Sequence, residues 1–200
     1  MELNVRELLS GENQRLRFIG RFSTCHVSHR ESVAEHSFFV NLFSVLVARW
    51  CQTNDTGMVI DYQKLMQGAT FHDLEEARTG DFFRPFKYST EELRRALTNA
   101  GELAARQTVT GLVNDEDQED TLVSWWVNAK DSSREGCIVA FCDFLSVLSY
   151  MVQEVAVSNL SMREHRTSML TYAHIFDIPQ FDFLAPLVEQ ARALAIEVLT

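Results

Sequence analysis

CIVAFCDFLSVLSYMV, residues 137–152, is sixteen residues with one charged side chain, Asp143, and neither glycine nor proline. A run this apolar on every side is read as a helix buried all round. An ionised carboxylate inside it is costly without a cation, hydrogen bonds or a metal. The run predicts a core helix over Cys137–Val157 that carries a buried acid toward a polar centre.

Outward from that helix, the chain reads as more helix. Phe38, Leu42, Val45, Leu46 and Trp50 recur at three- and four-residue spacing and predict a helix over Val33–Cys51. A second is expected over Asp61–Arg78, ending near Gly80, with Leu65, Ala69, His72 and Glu76 on one stripe. A third runs from Ser89 to Val109, and a shorter one after the acidic stretch NDEDQED carries Trp125 and Trp126. Two more are expected at 161–176 and 182–199. Ser32-x-x-Glu35, Ser89-x-x-Glu92, Ser132-x-x-Glu135 and Ser161-x-x-Glu164 fit the capping box, in which serine and glutamate satisfy free backbone N–H groups. No segment sustains strand alternation. The fold class is all-α, a compact multi-helix bundle of six to eight helices, and residues 1–200 read as a single domain without linker or repeat.

The 200 residues allow a sizeable core, and fourteen Phe against eight Gly and three Pro favour long packed elements. A net charge of −10 and a pI near 5.0 argue against nucleic acid as a partner, because a phosphate backbone needs a cationic face. They leave room for one small phosphorylated ligand. Cys25, Cys51, Cys137 and Cys142 form no C-x-x-C pair, so thiolate zinc and redox motifs are not expected. The start, MELNVRELLSGENQ, lacks a signal-peptide pattern, and FFVNLFSVLVARW at 38–50 is too short to span a bilayer. A cytoplasmic setting without membrane attachment is the expectation.

His72 and Asp73 are adjacent on the second helix, about 100° apart, and a metal at the helix surface can be reached by both. With His36 in the first turn of the first long helix and Asp143 in the apolar one, they make a His₂Asp₂ set from three helices. That mix suits one divalent transition metal (Co, Mn, Zn, Fe or Ni) better than Mg. Such a metal lowers the pKa of a water and accepts a phosphate oxygen, so no serine or cysteine nucleophile is required. Glu76, four residues after His72, is placed to orient the attacking water or shuttle its proton, and Asp81 to act as a second acid/base or to hold a ribose hydroxyl. Arg21, His26, His29, Arg30, Arg78, Arg84 and Lys87 are the candidate cations for a phosphate. On spacing alone Glu75 and Glu76 also fit a solvated helix face.

The order H…HD…D is that of HD-domain phosphohydrolases. RESVAEHS at 30–37, followed by FHDLEEARTGDFFRPFKY at 71–88 and the late Asp143, resembles the YfbR-type bacterial 5′-deoxynucleotidases of that class over about residues 17–88 and 137–159. The resemblance implies an all-α fold and a divalent metal at His36, His72, Asp73 and Asp143. It implies hydrolysis of deoxynucleoside 5′-monophosphates, catalysis and sugar recognition by Glu76 and Asp81, and a phosphate contact at Arg21. It also implies a homodimer or higher homo-oligomer. Phe22 stands where that family usually has Trp beside the arginine, so sugar or base selectivity is where this chain departs. A related phage branch with similar motifs removes triphosphate from deoxynucleoside triphosphates, dATP above all. His26, His29 and Arg30 could receive the extra phosphates in that reading, and a non-catalytic nucleotide-binding protein is the third reading. The expected substrate side chains are Arg21, Phe22, His26 and Lys87.

Overall fold

The computed structural model describes residues 3–113 and 115–200. Among them the only β pairing is in isolated bridges such as Gly20–Ser32. The helices are α1 (Val5–Ser10), α2 (Val33–Asn54), α3 (Tyr62–Phe71), α4 (Glu76–Thr79), α5 (Arg84–Lys87), α6 (Glu91–Val109), α7 (Glu116–Val127), α8 (Arg134–Ala156), α9 (Arg166–Ala173) and α10 (Ala185–Val198). Seven of these have eight or more residues, so the all-α bundle expected from the sequence is the observed class.

The apolar run is the centre. In α8, Phe141, Cys142 and Phe144 are fully buried beside Asp143, and α2, α3, α9 and α10 surround them in one core. By length and composition α8 would cross a bilayer, but 67% of its most apolar stretch is buried inside the fold. Phe141, Phe144, Tyr172 and Phe176 pack edge-on or stacked, with ring centroids 5.2–6.2 Å apart. A smaller cluster of Leu74, Val109 and Val123 joins α6 and α7 to the other side of the site.

The helix expected over 61–78 is not continuous. α3 ends at Phe71, residues 72–75 form turns, and α4 adds a single further turn up to Gly80, whose φ of 71° only glycine adopts freely. The break lies at the His72–Asp73 pair. It frees both side chains from strict helical directions, and it turns Glu75 inward. The capping boxes also differ from the expectation. Ser32 and Glu35 form the full box on α2. One residue later than expected in each case, Thr90 caps α6 and Ser133 caps α8. Ser161 caps nothing, because Leu160–His165 is a 3₁₀ turn that begins after Asn159. The two C-terminal helices likewise start with 3₁₀ turns, at 160–165 and 179–184.

Candidate active site

Donor atoms of His36, His72 and Asp73 converge where α2 meets the α3–α4 break, and Asp143 on α8 adjoins them through His36. The Ser32–Glu35 box fixes the first turn of α2 and points His36, fully buried, at α8. His36 Nε2 lies 3.1 Å from Asp143 Oδ1, 3.5 Å from Asp73 Oδ2 and 3.3 Å from His72 Nε2. His72 Nε2 is 3.0 Å from Asp73 Oδ2. His72 Nδ1 sits 2.9 Å from the Ala69 carbonyl oxygen, which can only accept, so the ring proton is on Nδ1 and the Nε2 lone pair faces inward.

Burial, helped by the Arg21 charge, pushes His36 down to about 4 against the pull of Asp143, so its ring is neutral at pH 7. Asp73 and Asp143 stay well below the usual carboxylate range. Burial opposes this in both, and close partners outweigh it, the His72 contact and the Lys130 charge at Asp73, and the Lys130 charge with the His36 hydrogen bond at Asp143. Two imidazole nitrogens and Asp73 Oδ2 thus lie within 3.5 Å of one another, and Asp143 Oδ1 adjoins them at 3.1 Å from His36 Nε2. Metal bonds of about 2.1 Å place neighbouring ligands about 3.0–3.4 Å apart, as these atoms are. The donor chemistry fits a divalent metal, with His36, His72 and Asp73 as the converging donors and Asp143 beside them.

Around this quartet lie groups of both signs. Arg21 is buried and donates from Nη1 to Asp73 Oδ2 at 3.2 Å, with Asp81 at 4.0 Å and Glu31 at 3.7 Å. Burial alone would lower its pKa, but Asp81, Glu76, Asp73 and Asp143 raise it. Glu76 is buried and its Oε2 has no hydrogen-bond partner. Burial first, then the Asp73 charge, lifts its pKa well above the ordinary carboxylate range. Asp81 is also raised, by burial first, with Arg21 opposing.

The loop that carries Arg21 is built to close tolerances. Gly20 faces the Arg30 side chain so closely that a Cβ would lie 2.1 Å from Arg30 Cδ. Phe22 has φ 53°, a strained value for a non-glycine residue, and its ring stacks on Tyr150 at 4.8 Å. The Glu154 carboxylate accepts from the Ser28 and His29 amides at 2.6 and 2.9 Å, which ties the loop to α8.

A pocket opens from the quartet, lined by Arg21, Phe22, Asp73, Glu76, Asp81, Lys87 and Asp143 from the sequence expectations. His26 is exposed and outside this lining, and its carbonyl accepts from Asn159 and Ser161. His29 and Arg30 are also exposed, and Arg78 pairs with Glu12 at the surface. Arg84 lines the pocket with its guanidinium 3.4 Å from the Tyr172 ring centroid.

Four groups escaped the sequence reading. Lys130 Nζ donates to Asp143 Oδ2 at 2.6 Å, and the Tyr172 hydroxyl donates to the same oxygen at 3.0 Å. Glu75 is buried rather than solvated, held by Trp126 Nε1 at 2.5 Å, and burial with the Asp73 charge lifts it to about 7. Glu31, buried beside Arg21, is lifted to about 7 by burial.

Comparison with known proteins places this geometry in a lineage. The chain is 26% identical over 145 residues to the 5′-deoxynucleotidase VV1113 of Vibrio vulnificus (strain YJ016), covering 72% of this chain and 73% of that protein. Its fold matches an HD-domain phosphohydrolase of Listeria innocua with TM-score 0.69 at 22% identity, covering 97% of each chain. It matches the cyanophage S-2L HD phosphohydrolase DatZ, solved with dA and one catalytic Zn²⁺, with TM-score 0.51 at 19% identity over 92% of this chain and 96% of that one. Residues 11–189 match the family described as 5′-deoxynucleotidase YfbR-like, and the chain belongs to that family of metal-dependent phosphohydrolases.

Proposed function

We propose that the chain hydrolyses deoxynucleoside 5′-monophosphates to deoxynucleoside and phosphate. The observation that carries the reading is the convergence of His36, His72 and Asp73, with Asp143 beside His36, next to Arg21 and a buried Glu76 whose Oε2 has no partner. A divalent transition metal (Co, Mn, Zn, Fe or Ni) on His36, His72, Asp73 and Asp143 would supply an acidified water and polarise the phosphoryl group. Arg21 binds and orients the phosphate, and its charge offsets the negative charge that grows there during attack. Glu76 orients the water and passes its proton on, so that the proton ends on the departing 5′ oxygen. Asp81, beside Arg21, takes the sugar hydroxyl or serves as a second acid/base. Phe22 and Lys87 line the substrate side, whereas His26 lies exposed outside the pocket. His36 is fully buried and Glu76 largely so, which strengthens the charge interactions around them.

Release of orthophosphate from a panel of deoxynucleoside monophosphates in the metal-loaded protein is the expected result. Release of tripolyphosphate with no monophosphatase activity would replace this reading with the triphosphohydrolase one. The cations Arg84 and Lys87, further along the same pocket, favour that second reading.

For assembly we take a homodimer or higher homo-oligomer, with the exposed α2 side chains Phe38, Leu42 and Leu46 as its apolar contact. Light scattering after size exclusion tests it, and a monomer at micromolar concentration would rule it out. A reducing, cytoplasmic setting accords with four free cysteines, three of them buried.

A further inference from the structure

The structure assigns Lys130 a role as a second phosphate-binding cation, set across the metal quartet from Arg21. The assignment rests on the phosphohydrolase reading above. The two aspartates divide their oxygens. Asp143 Oδ1 and Asp73 Oδ2 face the imidazole nitrogens at 3.0–3.5 Å, as metal ligands must. Lys130 Nζ instead addresses the outer pair, Asp143 Oδ2 at 2.6 Å and Asp73 Oδ1 at 3.9 Å. It therefore does not occupy the space between the donors, and it can stay when a metal is held.

An ammonium has three N–H donors. Among the described residues Lys130 makes one hydrogen bond, and Tyr172 already shares its acceptor. Once a divalent cation shares the charge of both carboxylates, the lysine's hold on them weakens. Its side chain is about one-third exposed and lines the same pocket as Arg21, Glu76 and Asp81. A phosphate dianion entering there meets guanidinium on one side and ammonium on the other. A planar fork and a mobile point charge suit two different oxygens of one tetrahedral group.

The backbone around Lys130 is held from both sides. Before it, Ala129 packs on α3 at Gly68, where a Cβ would lie 3.1 Å from the Ala129 carbonyl oxygen. After it, Asp131 accepts from Lys64 at 2.7 Å and from the Ser133 amide at 3.0 Å. A surface lysine of no function needs neither anchor.

The test uses the full chain loaded with manganese, inorganic phosphate as the probe, and metal content measured in parallel. Lys130→Met keeps the stem and removes the charge, and Lys130→Gln is the second neutral variant. Both are expected to keep their metal and to bind phosphate about tenfold more weakly, with KM for the nucleotide rising more than kcat falls. Lys130→Arg is expected to recover most of the affinity. Phosphate affinity equal to wild type in the neutral variants would overturn the assignment. So would loss of the metal from them, which would make Lys130 a carboxylate clamp alone. A wild-type protein that binds phosphate in a Lys130-dependent way but hydrolyses no deoxynucleotide would sink the proposed reaction and leave this assignment standing.

Discussion

Asp143 offers its two oxygens to different partners, Oδ1 to His36 at 3.1 Å and Oδ2 to Lys130 and Tyr172 at 2.6 and 3.0 Å. Asp143→Asn keeps the shape and an oxygen for Tyr172 but loses the charge. Loss of an outer-shell partner costs 10–100-fold in metal affinity, so loss of a direct carboxylate ligand should exceed about 100-fold. Metal titration of a variant that keeps its circular dichroism would measure it, and unchanged affinity would remove Asp143 from the quartet. Trp126→Phe tests a contact of another kind. It strands the Glu75 carboxylate, buried and accepting at 2.5 Å, and should cost about 1–3 kcal/mol in urea denaturation. These two residues also mark the limit of residue-level reading. Asp143 stood out because it interrupts an apolar run. Glu75 and Lys130 have ordinary neighbours in sequence, and only the path of the chain brings Trp126 to one and the two aspartates to the other. Phe22, the departure flagged from the motif, proves to be a strained residue on the pocket wall.

Elements were legible where periodicity and caps agree. Residues 33–51 and 137–157 lie in helices that extend close to the expected ends, because their apolar faces are long and Ser32 makes a full box. The break at 72–75 was invisible, since helical spacing of Leu65, Ala69, His72 and Glu76 continues through it. The site itself stops the helix: both ligands and the inward Glu75 need directions that a straight helix does not give. Ser89 and Ser132 are each followed by another hydroxyl residue, and the pattern could not choose which one caps.

Two tests belong to this scale. Gly68 is the point where α3 touches the turn that bears Lys130. Gly68→Val would gain helix propensity but push against a carbonyl oxygen that a Cβ alone would meet at 3.1 Å. The overpacking, about 1–3 kcal/mol, should win and lower the denaturation midpoint. Glu154 ties the Arg21 loop to α8. Burial would raise its pKa, but bonds from Asn159 and from the Ser28 and His29 amides more than reverse this. A group with a lowered folded pKa stabilises above its unfolded value and stops doing so as pH falls through the folded one. Glu154→Gln should therefore cost about 1–2 kcal/mol at pH 7, a gap that begins to narrow only once pH falls below the ordinary glutamate value of about 4.3. A gap independent of pH would mean the carboxylate charge does not hold the loop.

At the scale of the whole molecule, the proposed metal set would draw one ligand from α2, two from the α3–α4 break and one from α8, which α9 and α10 cover. The sequence separation between His36 and Asp143 spans much of the chain, so an unfolded chain cannot present the four donors together. A ligand that binds only the native state stabilises it by RT ln(1 + [L]/Kd), about 2.7 kcal/mol at a hundredfold excess over Kd. For a domain of this length 1 kcal/mol moves the melting temperature by about 2–4 °C. Chelator-treated protein supplied with manganese at that excess should therefore melt about 5–10 °C higher. A single core joining α2, α3, α8, α9 and α10 further implies that the chain unfolds in one transition as one domain. The Asp143→Asn protein should melt in one transition too, but without the metal-dependent rise. A rise of equal size in that variant would place the bound metal somewhere other than the quartet. Two separate transitions in wild type, only one of them moved by metal, would divide the chain into two folding units and confine the quartet to one of them.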